Sequence, residues 1–319
     1  MRLLTLVTVL LLAQHAAAAE PRKIELDNGD VYEGEIVDGM RTGNGLYIWV
    51  EGNRYEGQFR NNRMHGEGVY SWLDGRTYRG SFFRDRRQGT GVLSWENGDR
   101  YEGEFKTDQM HGQGTFHWAN QDTYTGSFVE GQRNGQGEFR WHTGEVYTGE
   151  FVDGVSNGNG KFEWPDGRRY QGNFEDATKT GQGTFVWPNG NRYVGQFADD
   201  VRSGHGIFHW RDGTIYHGFF AADKMHGYGV KHQPGGILSV QYWEEGLLVL
   251  EKPLALNPPC NLILDGKPWM FDGDKCINGF AHGTGIAASL DGTHIIPEAR
   301  IVLGRLVEGS DKILVVGGS

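Results

Sequence analysis

The chain has 319 residues, with 41 Asp plus Glu against 31 Lys plus Arg, a formal net charge of −10 and 13% aromatic residues. That acidic balance works against non-specific attraction to nucleic acid or an anionic membrane, and two cysteines are too few for a disulfide-dense scaffold. The 51 glycines would suggest low complexity if scattered, but they recur in strict register.

Residues 1–19 read as a secretory signal peptide: Arg2, an apolar run from Leu3 to Leu12, then small residues from Ala16 to Ala19. The apolar run is too short to span a bilayer, which needs about 20 residues. Removing this leader, which carries Arg2 and no acid, leaves a net charge of −11. No Asn-x-Ser/Thr acceptor occurs, so the expected destination is a bacterial periplasm or the cell exterior.

From Tyr32 onward the sequence repeats every 23 residues. Tyr32, Tyr55, Tyr78, Tyr101, Tyr124, Tyr147, Tyr170, Tyr193 and Tyr216 mark position 0 of nine units. Gly follows at position 2 in every unit, and position 4 is Phe in all but the first, where it is Ile36. Glycines recur at positions 11 and 13, Trp at position 17 in eight units from Trp49 to Trp210, and Gly at position 20 except at Gln121. A fixed period of this size marks a repeat array. Residues 24–31 supply a half repeat before the first unit.

Positions 0, 2 and 4 alternate with polar residues, as do positions 13, 15 and 17, and alternation at period two predicts half-buried strands. A loop of about five residues, such as Thr107 to His111, is expected between them. The tight turn is expected after the Trp, at Asp74-Gly75, Asn97-Gly98 and their equivalents. Each unit is then one hairpin, and the predicted fold is all-β: an elongated antiparallel β-meander or solenoid, a single twisted sheet with an aromatic groove. The array is expected to span residues 20–246, with a tenth strand ending at Gly246. Residues 247–319 are expected to form a diverged terminal repeat that caps the sheet edge. Cys260 and Cys276 lie in that tail, and export to an oxidising compartment predicts a disulfide between them.

The unit Tyr-x-Gly-x-Phe, then Gly-x-Gly, an aromatic, Trp and an Asp/Asn-Gly turn resembles the MORN repeat (membrane occupation and recognition nexus) over about residues 24–246. The resemblance implies an elongated single-sheet β structure that serves as a protein-interaction scaffold. Some members of the family append a lipid kinase or a lysine methyltransferase domain; nothing after Gly246 resembles either.

No residue constellation supports catalysis, a cofactor or a metal. The Met-His-Gly triplets at 64–66, 110–112 and 225–227 hold potential ligands, but two repeats place His65 and His111 roughly 19 Å apart, too far to share an ion. Binding is expected in the aromatic groove of the middle repeats, with Tyr101, Trp118, Tyr124, Trp141 and Tyr147 as its floor. A second pattern is cationic: Arg41, Arg63, Arg86, Arg87, Arg133, Lys179, Arg202 and Lys224 fall at positions 8 or 9 and would line a basic loop edge. The expected partner is a protein or peptide, not nucleic acid or membrane lipid. The alternatives are an envelope glycan stacked on the aromatic ladder, or an anionic polymer on the basic edge.

Overall fold

A computed structural model describes residues 22–254, 262–273, 275–278, 280–290, 293–309 and 313–315. The leader and Cys260 lie outside the described residues. The described residues fall into two compact units, divided between residues 119 and 120. Strands make up both, and no helix occurs among the described residues.

In the first unit, strands from Arg22–Glu25 to Gln109–His117 form an antiparallel meander, each paired with its neighbours in sequence. One hairpin describes them all. Strands Arg54–Arg60 and Arg63–Ser71 pair with Tyr55 opposite Tyr70 and Gly57 opposite Gly68. A register shift follows the position-2 glycine, between Gly57 and Phe59. The next interstrand step carries no shift and sets Gly68 opposite Gly80. Glycines therefore run across the sheet in a row.

That row exists because the position-0 tyrosine lies over it. A Cβ on Gly68 would come within 2.5 Å of the Tyr55 ring, and one on Gly57 would stand 2.5 Å from the Gly68 Cα. Only hydrogen fits at either place. Tyr55 is fully buried and its hydroxyl donates to the Gln58 carbonyl at 2.9 Å, so the phenol enters the core with its polar end satisfied. Phe59 and Phe82 meet its ring edge-on at 5.1 and 5.0 Å. Such pairs contribute about 0.5–1.5 kcal/mol each beyond the area they bury.

The turns differ from the sequence expectation. The two strands of each unit are joined by two residues rather than five: Asn61-Asn62, Arg84-Asp85 and Thr107-Asp108 all have positive φ at both positions, as a type I′ turn requires. Gln109, Met110 and His111 belong to strand Gln109–His117. Asn and Asp serve here because they tolerate the left-handed region and because the position-7 side chain has a second use. The Asp85 carboxylate accepts the Met64 N–H at 2.8 Å, and that of Asp108 accepts the Arg87 N–H at 2.9 Å, each reaching back one repeat. The connection after the Trp is wider, closed by the Trp72 N–H donating to the Arg76 carbonyl at 2.9 Å.

The second unit continues the same pattern from Thr123–Val129 to Lys224–Gln233. Its meander then runs past Gly246: strand Ile237–Glu244 turns at Glu245-Gly246 and pairs with Leu247–Leu254. The remaining strands, from Leu262–Leu264 to Leu314–Val315, make a separate seven-stranded sheet. It packs against a face of the array, where Val230, Leu238 and Val240 bury against Met270, Ile286, Ala288 and Ile295. Val240 occupies a position that is polar in eight of the nine repeats, Val194 being the exception, and Val230 one that is apolar in half of the earlier eight, so an apolar pair at these two sites builds the contact. The Asp265-Gly266 turn folds Leu262–Leu264 back on Lys267–Phe271. Cys276 is exposed on a different strand, Lys275–Ile277, which pairs with Phe280–Ser289.

Candidate functional site, an aromatic ladder

The aromatic residues of one face separate into two rows with different surroundings. All nine position-0 tyrosines are at most 1% exposed. Tyr101 in the first unit, and Tyr124 and Tyr147 in the second, are therefore core pillars and do not form an accessible floor. Burial raises their phenols, with Tyr124 and Tyr147 pushed up to about 12. Tyr216 departs from the row: its hydroxyl finds no partner among the described residues, whereas the other eight donate to the carbonyl three residues on.

The position-17 tryptophans are half-buried throughout, from Trp49 to Trp210. Within the first unit, Trp49 sits 4.6 Å from Tyr47 and 5.1 Å from Tyr70, and Phe116 lies between Trp95 and Trp118 at 5.4 and 4.5 Å. In the second unit a continuous zigzag runs Phe139, Trp141, Phe162, Trp164, Phe185, Trp187, Phe208, Trp210, with centroid separations of 4.4 to 5.5 Å. The rings are tilted by 37° to 57°. Sequence alternation assigned Tyr and Trp to one face; the glycine row decides that Tyr sinks and Trp stays half open.

The cations do not form one edge. Arg63, Arg86 and Lys224, at position 8, are exposed. Arg41, Arg87, Arg133, Lys179 and Arg202, at position 9, fold over the aromatic face instead. The Arg202 guanidinium lies 5.4 Å from Trp187, 5.6 Å from Tyr193 and 5.3 Å from Phe220, with its Nε 2.9 Å from the Asp223 carboxylate. Arg87 does the same over Trp72, Tyr78 and Phe105, and Lys179 over Trp164 and Tyr170. Arg133 lies 5.1 Å from Phe139 and 5.5 Å from Phe151 and donates to the Gly154 carbonyl. Desolvation lowers its pKa from the usual arginine value. In three of the four remaining repeats Met64, Met110 and Met225 take this position, since a flexible thioether covers rings as an alkyl-guanidinium does, and in the sixth repeat it is Ser156.

This predicts a sharp contrast between neighbouring charge reversals. Arg133→Glu puts an unpaired carboxylate among rings and should destabilise the protein by about 3 kcal/mol or more. Arg133→Met should cost less than about 1.5 kcal/mol, and Arg86→Glu should stay within about 0.5 kcal/mol. Melting temperatures of the three variants check the order; equal loss for Arg133→Glu and Arg86→Glu would show that position 9 is solvated.

On the opposite face of the second unit, Gln136, Thr148, Glu150, Asn159, Lys161 and Gln171 are among the residues lining an open groove of about 680 Å³. Among the described residues no cluster of three or more His, Cys, Asp or Glu could hold a metal ion.

The MORN repeat model matches nine segments in succession: 32–54, 55–75, 78–100, 101–123, 124–146, 147–168, 170–192, 193–215 and 216–237. The chain belongs to the MORN-repeat family. No curated protein matches it in sequence. Among solved structures, it is similar to the TCP10 domain of Danio rerio CPAP in complex with a STIL peptide, at 12% identity and a TM-score of 0.41, covering 73% of this chain and 98% of that one. The SAS-4 TCP domain of Drosophila melanogaster, in complex with a proline-rich motif of Ana2, matches at 12% identity and a TM-score of 0.33, covering 62% and 98%. These scores are too low to define a shared fold.

Proposed function

We propose that this MORN-repeat chain is an exported interaction scaffold that holds a partner protein or peptide on its half-open tryptophan ladder. The observation that carries this reading is the position-17 row itself: large rings at a fixed period, each fixed by neighbouring rings yet left partly exposed. Tyr and Trp give large contact area at small entropic cost and dominate binding hot spots. Pre-stacked rings lose little further freedom when a partner docks. The packing of each ring against its neighbours, tilted by 37° to 57° in the second unit, favours a peptide over a sugar chain along this ladder. Export rests on the leader sequence and carries with it a Cys260–Cys276 bridge; fractionation of the source cells, with a thiol count on the unreduced protein, tests both.

The functional test is truncation. Trp118→Ala in one unit and Trp141→Ala in the other should each weaken capture of the partner from the source envelope fraction by about 2 kcal/mol if that ring is contacted, with the melting transition preserved. Arg86→Glu should change only the salt dependence and on-rate. If both Trp variants stay folded and bind as the parent does, the ladder is not the site.

A further inference from the structure

The aromatic ladder stops in the ninth repeat, where it leaves a pocket. Lys231 stands at position 15, where the earlier repeats carry Tyr, Leu or Phe, and Gln233 stands at position 17, where they carry Trp. The tenth strand contributes Trp243 at the position that is Phe in eight of the nine repeats, together with Ser239 and Gln241 in place of the buried Tyr and its Gly. The missing rings leave a cavity of about 370 Å³ between Trp210 and Trp243, with Asp212, Thr214, Lys231 and Gln241 in its wall. Its size lies within the range of small-molecule sites, about 300–1,000 Å³.

The polar wall is pre-organised. Gln241, 2% exposed, accepts from the Trp243 indole N–H at 3.1 Å and donates to the Glu251 carboxylate at 2.9 Å. Ser239 donates to the same carboxylate oxygen at 2.8 Å. The Lys231 ammonium stands 4.0 Å from it, beyond hydrogen-bonding distance, and offers three donors. The Thr214 N–H donates to Asp212 at 2.8 Å.

We propose that this pocket, which closes the end of the ladder at Trp210, binds one neutral sugar ring, a ligand distinct from the protein partner held along the rest of the row. The two indoles supply apolar faces for the C–H side of a pyranose, and Asp212, Lys231, Gln233 and Gln241 supply acceptors and donors for its hydroxyls. Two carboxylates, Asp212 and Glu251, surround one ammonium, so an anion meets net negative charge and a cation meets Lys231. A prolyl or phenyl ring would desolvate the polar wall without pairing it, which is costly. A polyhydroxylated neutral ring satisfies both halves.

The test uses the full chain against an array of neutral glycans, followed by calorimetric titration of the best binder. The plugging variant is Lys231→Phe with Gln233→Trp, which restores the rings found in earlier repeats and should hold or raise the melting temperature. The expected result is binding of at least one neutral saccharide by the parent, weakened at least about tenfold in the plugged variant and unchanged in Glu96→Gln, at an exposed residue of the first unit. Three results would overturn the proposal: no neutral glycan bound at about 10 mM, equal binding by the plugged variant, or preferential uptake of glucuronate, glucosamine or a hexaproline peptide by the pocket.

Discussion

Gly160→Ala is expected to destabilise the protein by about 3 kcal/mol or more, an unusual cost for adding one methyl group to a strand. The reason is local. Gly160 pairs with Gly149, and a Cβ at Gly160 would come within 2.5 Å of the Tyr147 ring. The ring has nowhere to go: Tyr147 is 1% exposed, its hydroxyl donates to the Glu150 carbonyl at 2.9 Å, and Phe151 and Phe174 both meet it edge-on at 5.1 Å. Removing the ring is as harmful, so Tyr147→Ala should cost about 3–5 kcal/mol by the usual measure for a buried aromatic. The two changes together should cost less than their sum, because the alanine methyl enters space the phenol has left. Denaturant or thermal unfolding of the four proteins gives the coupling, and simple additivity would show that the ring does not lie on the glycine pair.

The second large effect is alkaline. Burial holds the position-0 phenols above their ordinary value, Tyr124 and Tyr147 to about 12, and the rest of the row is shifted the same way. A raised folded pKa means that the native state keeps protons that the unfolded chain releases. The stability tied to the row is therefore complete below about pH 10, the ordinary tyrosine value, and declines as pH rises from there through the folded value. Nine groups act together, so the β-sheet circular dichroism should collapse steeply between about pH 10 and 12, with most tyrosinate absorbance appearing in the same interval as the loss of sheet. Tyrosinate forming early, with the sheet spectrum intact, would mean that the phenols are accessible.

Much of this was legible from spacing. The 23-residue period, the hairpin in each unit and the all-β class follow from Tyr, Gly and Phe at positions 0, 2 and 4 and from the Trp at position 17. Alternation tells which residues share a face but not how deep each lies, so Tyr101 and Trp118 looked equivalent. Their difference comes from the Gly103–Gly114 pair, opposed across two strands, which admits one ring to the core. The tight turns were misplaced because Arg84-Asp85 and Ala222-Asp223 hold φ of 47° to 71° without glycine, while the conspicuous Asp-Gly pairs belong to the wider connection. The position-9 arginines read as loop charges for the same reason; once the turn shortens to two residues, Arg133 falls on a strand, opposite Phe128. The strand Leu247–Leu254 was missed because Ser239 and Gln241 replace the Tyr and Gly that announce a unit.

The proposed function divides labour between buried tyrosines that hold the repeats and half-open tryptophans that would meet the partner. Oxidative footprinting, read by mass spectrometry on the free protein and on its complex captured from the source envelope fraction, tests that division directly. In the free protein Trp118 and Trp141 should be modified while Tyr101, Tyr124 and Tyr147 are spared, and the Trp signals should fall in the complex. Oxidised tyrosines in the folded protein, or tryptophans equally modified with and without the partner, would contradict it.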